Sequence, residues 1–179
     1  MVIKDIVQAG SPLLRKRAKL VKNVLSKRTQ QIITDLIDTM HYGQMVGTAA
    51  PQIGKSLRIF VSEVKATEYR ADLKENALTI YINPKIIKTS SKKVTSYEGC
   101  GSIAYSKFFG PVKRPKWVIV EARDKKGKKF QLKASGLLAR IIQHEYDHLE
   151  GILFTDKLTD WTKAMSSEEY IKMRSKKKN

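Results

Sequence analysis

Two segments of the chain place apolar residues at the spacing of a single helix face. The first can be capped by Ser26 or Thr29 and ends near Gly43, where a left-handed residue is usual. Its apolar positions are Ile32, Ile33, Leu36, Ile37 and Met40. The second segment runs from about Ser135 to Glu150. The pattern therefore predicts two amphipathic helices.

Short apolar runs bounded by turn residues predict strands. These runs are Leu57–Ser62, Leu78–Ile82, Lys93–Tyr97, Lys116–Arg123 and Lys128–Lys133. The last two are joined by Asp124–Gly127, which is typical of a hairpin turn, and the polar stretch 65–76 predicts a surface loop. Strands and helices do not alternate along the chain. We therefore expect an α+β fold with mainly antiparallel sheets.

Length and composition limit the class of protein. The chain has 179 residues, of which 41% are hydrophobic, and this fits one folded domain. No apolar run approaches the roughly 20 residues of a membrane span, and the N-terminus resembles neither a signal peptide nor a transit peptide. We expect a cytoplasmic protein that does not contact membrane, and a monomer.

The charge pattern adds a possible partner. The formal net charge is +18, which either favours solubility alone or indicates a polyanionic partner such as RNA. No nucleic-acid motif stands out, so docking on an RNA-rich assembly fits better than chemistry on RNA.

The strongest chemical signal lies on the second predicted helix, in His144-Glu145-Tyr146-Asp147-His148. Two histidines four residues apart lie on one helix face, so both imidazoles can reach one metal ion. Glu145 beside them can carry a proton. Leu137 and Ile141 continue the same stripe, which we expect to face the core. The alternative is two histidines at chance spacing.

A catalytic metal of this type needs a third protein ligand. No histidine follows His148, so the ligand that a zinc peptidase would use there is missing. The single cysteine, Cys100, lies in a Gly-flanked turn and is the remaining soft ligand, although a lone cysteine can also be an inert buried residue. We expect Cys100, His144 and His148 to bind one metal ion, which makes the second helix the central, metal-binding helix of the fold.

Three ordered motifs resemble the peptide deformylase family. They are Met45-Val46-Gly47-Thr48-Ala49-Ala50-Pro51-Gln52, Glu98-Gly99-Cys100-Gly101-Ser102 and His144–His148. The resemblance covers almost the whole chain. It implies a hydrolase that removes the N-formyl group from formyl-methionine of new polypeptides. It also implies one divalent ion, Fe²⁺ in cells with Zn²⁺, Ni²⁺ or Co²⁺ as substitutes. The ion acidifies a water molecule and polarises the formyl carbonyl.

The resemblance also implies roles for individual residues. Glu145 takes the proton of the water, and the Gln52 amide and the Gly101 N–H stabilise the oxyanion. Glu98 and Asp147 are candidates for orienting the ligands, although Asp147 could equally lie on a solvated helix face. Further residues are expected to contact the substrate: Val46, Gly47, Glu98, Gly99, Arg140 and Ile141. Of these, Arg140 could equally be a surface residue.

The sequence departs from the family pattern at Met45, at Thr48 and at Gly101, where leucine is usual. These departures leave open a catalytically weak or silent protein that binds nascent chains or ribosomes. The loop Ala104–Gly110 also looks slightly longer than in typical members. These changes bear on the shape of the substrate pocket more than on the metal site.

The C-terminal segment is expected to be separate from the catalytic domain. We divide the chain into a catalytic domain, 1–164, and a basic helix or tail, 165–179. Ser166 and Glu169 form a capping-box pattern, and Lys176-Lys177-Lys178 follow. The apolar positions are few, so the helix should project, either as a frayed tail or as a basic ribosome anchor. Its removal should then leave hydrolysis of a free formyl peptide unchanged.

Overall fold

The computed structural model describes residues 3–65 and 75–176, so most of the predicted loop 65–76 and Lys177 and Lys178 lie outside the described residues. The described part is α+β. Its helices are α1 (Lys27–Tyr42), α2 (Gly136–Leu149) and α3 (Ser167–Lys176). Its strands are β1 (Gly47–Ala49), β2 (Ile59–Val64), β3 (Asn76–Thr89), β4 (Lys93–Gly99), β5 (Phe108–Pro115), β6 (Trp117–Arg123), β7 (Lys129–Ser135) and β8 (Met165–Ser166).

The strands form two antiparallel sheets around α2. The larger sheet has the order β1-β2-β3-β6-β7, and the smaller has the order β4-β5-β8. Helix α2 contacts strands of both sheets, namely β1, β2, β5, β6 and β7. The predicted fold class and the central position of the helix are therefore confirmed.

Helix α1 forms where the apolar pattern predicts it. Ser26 is its N-cap and accepts a hydrogen bond from the Thr29 N–H at 3.2 Å. Its apolar face packs on the larger sheet with a cluster of buried side chains that includes Leu36, Met40 and Val61. The helix ends at Gly43 as expected, but Gly43 has φ −77° and the left-handed residue is Gln44, with φ 49°. The predicted left-handed cap is thus one residue too early.

The pattern of apolar residues did not predict strands β1, β5 and β8. Strands β1 and β8 are too short for periodicity to reveal them. Strand β5 contains Gly110, Pro111 and Pro115, residue types that usually argue against a strand. It nevertheless lies in the middle of its sheet, where Pro111 is paired with Tyr97 and Pro115 with Lys93.

Helix α2 presents its histidine stripe partly to the core and partly to a cavity. Its core-facing residues are Ala139, Ile142 and Leu149, which pack with Phe60 and Tyr81 of the larger sheet. Leu137 is only half-buried and lines a cavity instead. Ile141 and His148 of the stripe are buried, whereas Leu137 and His144 are half-buried. The expectation that the stripe faces the core therefore holds for two of its four residues, because the helix packs one face on the larger sheet and a second toward the smaller sheet.

The C-terminal helix does not project from the domain. Strand β8 pairs with β5 through Phe109 and Met165, and the Ser167 N–H donates to the Lys107 carbonyl at 3.1 Å. The Tyr170 ring then stacks on Phe109, with 4.3 Å between ring centroids. A few aromatic contacts hold this helix on the smaller sheet, although its sequence lacks an extended apolar face. None of the helices in the described ranges is long and apolar enough to cross a membrane.

Candidate metal centre and active site

The end of β4 and the middle of α2 bring three potential metal ligands together. The ligand atoms of Cys100, His144 and His148 all lie within 4.8 Å of one another. Cys100 Sγ is 3.2 Å from His148 Nε2, and both side chains are buried. One thiolate and two imidazoles at this spacing suit a tetrahedral ion with one open position. The donor set and its geometry therefore fit a divalent transition metal.

Glu98 fixes the orientation of one ligand ring. Its Oε2 lies 3.0 Å from Nδ1 of His144, which leaves Nε2 of that ring to face Cys100 and His148. A carboxylate on the second ring nitrogen is the usual partner of a metal-binding histidine. His148 Nδ1 is buried and has no hydrogen-bond partner among the described residues.

A buried network of charges supports Glu98. Arg114 donates to both carboxylate oxygens of Glu98, at 2.6 and 2.8 Å, and to Asp147 at 2.7 Å. Lys157 donates to the other Asp147 oxygen at 2.6 Å. Asp147 is therefore buried and paired rather than on a solvated face. Sequence reasoning missed Arg114, because one arginine in a chain with 35 Lys and Arg residues carries no signal of its own.

The network sets the protonation states of its members. Burial alone would raise the pKa of Glu98, but hydrogen bonds from Arg114 and His144 outweigh it and hold that pKa well below its usual range. Burial would lower the pKa of His144, but its contacts with Cys100 and Glu98 raise it. The pKa of His148 is lowered by burial and by the charge of His144. Glu98 is thus held as a carboxylate beside the ligand ring.

Glu145 faces the same centre from α2. Its side chain is 4% exposed, and its Oε2 is buried without a hydrogen-bond partner among the described residues. Burial raises the pKa of Glu145 to about 7, while the charge of His144 opposes the shift. Gly47 of β1 lies against it, since a Cβ at Gly47 would be 2.6 Å from Glu145 Oε1. The close approach of β1 to Glu145 therefore requires glycine at this position.

Gln52 and Gly101 lie beside Cys100. The Gln52 Oε1 accepts a hydrogen bond from the Ala49 N–H at 2.8 Å, so its Nε2 points to Cys100 Sγ at 3.5 Å and to Ser102 Oγ at 3.4 Å. The Gly101 carbonyl accepts from Gln8 Nε2 at 2.9 Å. Gln52 is 2% exposed, and both residues line the cavity above the cluster. The Gln52 amide and the Gly101 turn are thus each held by a hydrogen bond at the edge of the cavity.

A cavity of about 490 Å³ opens onto the metal cluster. Among the site residues expected from the sequence, His148 and Asp147 do not line the cavity. The others do: Val46, Gly47, Gln52, Glu98, Gly99, Cys100, Gly101, Arg140, Ile141, His144 and Glu145. Arg140 is not a surface residue, because its guanidinium donates to Glu98 at 2.5 Å and to the Val94 and Val112 carbonyls. The cavity is also lined by Phe109 and by residues of α3 that the sequence did not point to.

Two departures from the family pattern, Met45 and Gly101, lie next to each other. A Cβ at Gly101 would lie 3.1 Å from Met45 Sδ, so the Met45 side chain occupies the space next to this glycine. Thr48 is fully buried, with its hydroxyl 2.8 Å from the Gly47 carbonyl. The turn after Ser102 is also unusual, since Ala104, Tyr105 and Ser106 all have positive φ. Met45 therefore occupies space beside Gly101 at the cavity, and the Cys100, His144 and His148 cluster is present.

This fold and this cluster define the chain as a metal-dependent hydrolase. The sequence model described as "Polypeptide deformylase" matches residues 3–164. A peptide deformylase of Dictyoglomus turgidum is 40% identical over 159 residues, which cover 89% of this chain and 95% of that protein. Peptide deformylase 1A, chloroplastic/mitochondrial, of Arabidopsis thaliana is 38% identical over 89% of this chain and 63% of that protein.

Solved structures of peptide deformylases have the same fold as this chain. A class I type b peptide deformylase from Acinetobacter baumannii with bound Met-Ala-Ser has a TM-score of 0.83, at 30% identity over 88% of this chain and 99% of that one. A peptide deformylase from Ehrlichia chaffeensis has a TM-score of 0.80, at 30% identity over 99% of this chain and 98% of that one. The chain belongs to the polypeptide deformylase family. It is an enzyme that removes the N-formyl group from the methionine of formylated polypeptides.

Proposed function

We propose that Cys100, His144 and His148 hold one divalent ion and that Glu145, Gln52 and Gly101 carry out deformylation around it. The observation that carries this proposal is the Cys-His-His cluster at the base of the cavity, with the Glu145 carboxylate beside it. The ion would act as a Lewis acid and would lower the pKa of a water molecule. Side chains and backbone of the chain carry out the proton transfer and stabilise the oxyanion.

Glu145 is the proposed proton carrier. Its carboxylate accepts the proton of the attacking water and delivers it to the amine that leaves the formyl carbon. A pKa near neutrality, which burial produces here, suits a group that must both accept and release a proton at pH 7. Gly47 leaves Glu145 room for this position, and the lack of a partner for Oε2 among described residues leaves that oxygen available.

Gln52 and Gly101 are the proposed oxyanion donors. The Gln52 amide is fixed through its own carbonyl by Ala49, so its N–H groups need no reorientation during the reaction. The Gly101 N–H belongs to a turn that Gln8 holds through the Gly101 carbonyl. Donors fixed in this way stabilise the charge that develops on the formyl oxygen, because no reorganisation is needed at that moment.

An extended peptide is the proposed substrate conformation. Strands β1 and β4 are both edge strands of their sheets, and Val46, Gly47 and Gly99 line the cavity between them. The Val46 carbonyl accepts from the Glu63 N–H, so by the alternation of antiparallel ladders the backbone groups of Gly47 point to the free edge. A peptide strand can pair there. Ile141 and the aliphatic part of Arg140 would then contact the methionine side chain.

The identity of the ion is a further proposal. Thiolate and imidazole ligands suit both Fe²⁺ and Zn²⁺, and we propose Fe²⁺ in cells, with Zn²⁺, Ni²⁺ or Co²⁺ able to substitute. Elemental analysis of protein purified anaerobically from iron-replete cells would test this. Iron near one atom per chain supports the proposal, whereas zinc alone under those conditions contradicts it.

Product analysis tests the function against its alternatives. The protein is incubated with formyl-Met-Ala-Ser, and the products are identified by mass spectrometry. Loss of formate with the tripeptide intact supports deformylation. Cleavage between Met and Ala would indicate a peptidase, and an unchanged substrate with full metal content would indicate a silent member of the family.

The ribosome is the proposed partner, reached by a monomer in the cytoplasm. Lys172 and Lys176 are exposed on the outer face of α3, and Lys177 and Lys178 follow in the sequence. Contacts with RNA phosphates would weaken steeply with salt. The variant Lys172→Glu/Lys176→Glu should co-sediment less with ribosomes at low salt and keep its activity on a free peptide. Equal co-sedimentation of the wild type and the variant with ribosomes, at both low and moderate salt, would contradict the proposal.

A further inference from the structure

Helix α3 is held against the smaller sheet rather than left free. At its start, Met165 pairs with Phe109 of β5, and the Ser167 N–H donates to Lys107. One turn on, the Tyr170 ring stacks on Phe109 at 4.3 Å with 9° between the ring planes and lies 5.8 Å from Tyr97 of β4. Two separate points of contact therefore define both the position and the rotation of the helix.

This rotation turns one face of α3 into the cavity above the metal cluster. Residues at i, i+3, i+4, i+7 and i+8 line it, namely Ser167, Tyr170, Ile171, Arg174 and Ser175. The opposite face carries charged side chains, among them Glu169 and Lys172, which form a salt bridge of 2.7 Å. The helix thus divides into a cavity face and a solvent face.

The cavity face is continuous with the catalytic residues. Phe109, on which Tyr170 stacks, also packs against Gly99, where a Cβ would lie 2.7 Å from the ring. Gly99 directly precedes Cys100, so α3 contacts the catalytic turn through a single aromatic ring. Ile171 is 48% exposed although it lines this cavity, which makes it an apolar surface without protein cover.

We propose that the cavity face of α3 is a wall of the peptide site and contacts the residues that follow the formyl-methionine. This inference rests on the proposed function. The cavity volume of about 490 Å³ is that of a site for a ligand larger than one side chain. With Tyr170 and Ile171 in the wall, apolar side chains after methionine are the favoured partners. The inference replaces the expectation that loss of this helix leaves hydrolysis of free peptides unchanged.

Steady-state kinetics on two substrates distinguish an effect of this wall on peptide binding from an effect on the catalytic centre. The substrates are formyl-methionine amide, which ends at methionine, and formyl-Met-Leu-Leu. The test variant is Ile171→Ala. The matched control is Glu169→Ala, an exposed residue on the solvent face of the same helix. Metal content and thermal stability are measured for every protein.

Ile171→Ala should raise KM for formyl-Met-Leu-Leu about tenfold, with kcat and all constants for formyl-methionine amide unchanged. Glu169→Ala should behave as wild type on both substrates. Equal KM values for Ile171→Ala and wild type, or the same rise in Glu169→Ala, would overturn the inference while leaving the proposed function intact. A wild-type protein inactive on both substrates would overturn the proposed function and this inference together.

Discussion

Alanine in place of Gly47 would put a methyl group against the carboxylate of Glu145. The added Cβ would be 2.6 Å from Oε1 and 2.9 Å from Cγ of Glu145. An ordinary contact needs about 3.5 Å, so the carboxylate or strand β1 must retreat by about 0.9 Å. A misplacement of about 1 Å at a reacting group costs roughly 100-fold in rate, or about 2.7 kcal/mol of transition-state stabilisation.

We therefore expect Gly47→Ala to lower kcat about 100-fold while metal content stays at the wild-type level, because the three atoms nearest this Cβ all belong to Glu145 and not to a metal ligand. The crowding should cost about 1–3 kcal/mol of folding stability. The assay is formate release at saturating formyl peptide, with metal analysis and urea unfolding of the same preparations.

Gly127→Ala is the matched control. Gly127 has φ +81° in the β6–β7 hairpin, and its added Cβ would meet nothing closer than 3.9 Å. Its left-handed conformation should cost about 1–2 kcal/mol of stability with no change in kcat. An unchanged kcat in Gly47→Ala would refute the reasoning, because it would mean that the Glu145 position does not limit the reaction.

Three further changes address the oxyanion donor, the charge network and the metal. Gln52→Leu should lower kcat about 10²–10³-fold at constant metal content, and an effect confined to KM would assign Gln52 to substrate binding instead. Arg114→Leu should cost about 3–5 kcal/mol in urea unfolding, because Glu98 and Asp147 lose their shared partner in a buried site; wild-type stability would contradict this. Cys100→Ala should reduce bound metal from one ion per chain to a small fraction, and full occupancy by elemental analysis would remove Cys100 from the ligands.

Local spacing was enough to predict the centre of the site. His144 and His148 share a helix face whatever the rest of the fold does, since four residues make about one turn. Cys100 followed by elimination, because the chain has a single cysteine and no histidine after His148. The α+β class followed because the predicted strands and helices do not alternate along the chain. Each of these inferences needed only short-range geometry or residue counts.

The parts that sequence reasoning missed depend on contacts between distant segments. Arg114 joins Glu98 and Asp147 because β5 pairs with β4 and contacts α2, and the prolines of β5 hid this strand from the pattern. The place of α3 depends on the stacking of Tyr170 on Phe109, residues far apart in sequence. A segment with few apolar positions gives no sign of such a contact, so the pattern favoured a projecting tail.

The central claim is that Glu145 moves the proton in a deformylation supported by the Cys-His-His ion, and one comparison tests it most directly. Wild-type protein and Glu145→Ala are loaded anaerobically with Fe²⁺ to one ion per chain, and formate release from formyl-Met-Ala-Ser is measured at neutral pH. We predict rapid turnover by the wild type and a loss of roughly 10²–10⁴-fold or more in the variant at equal metal content. Near-normal turnover by Glu145→Ala, or no formate from the fully loaded wild type, would contradict the account.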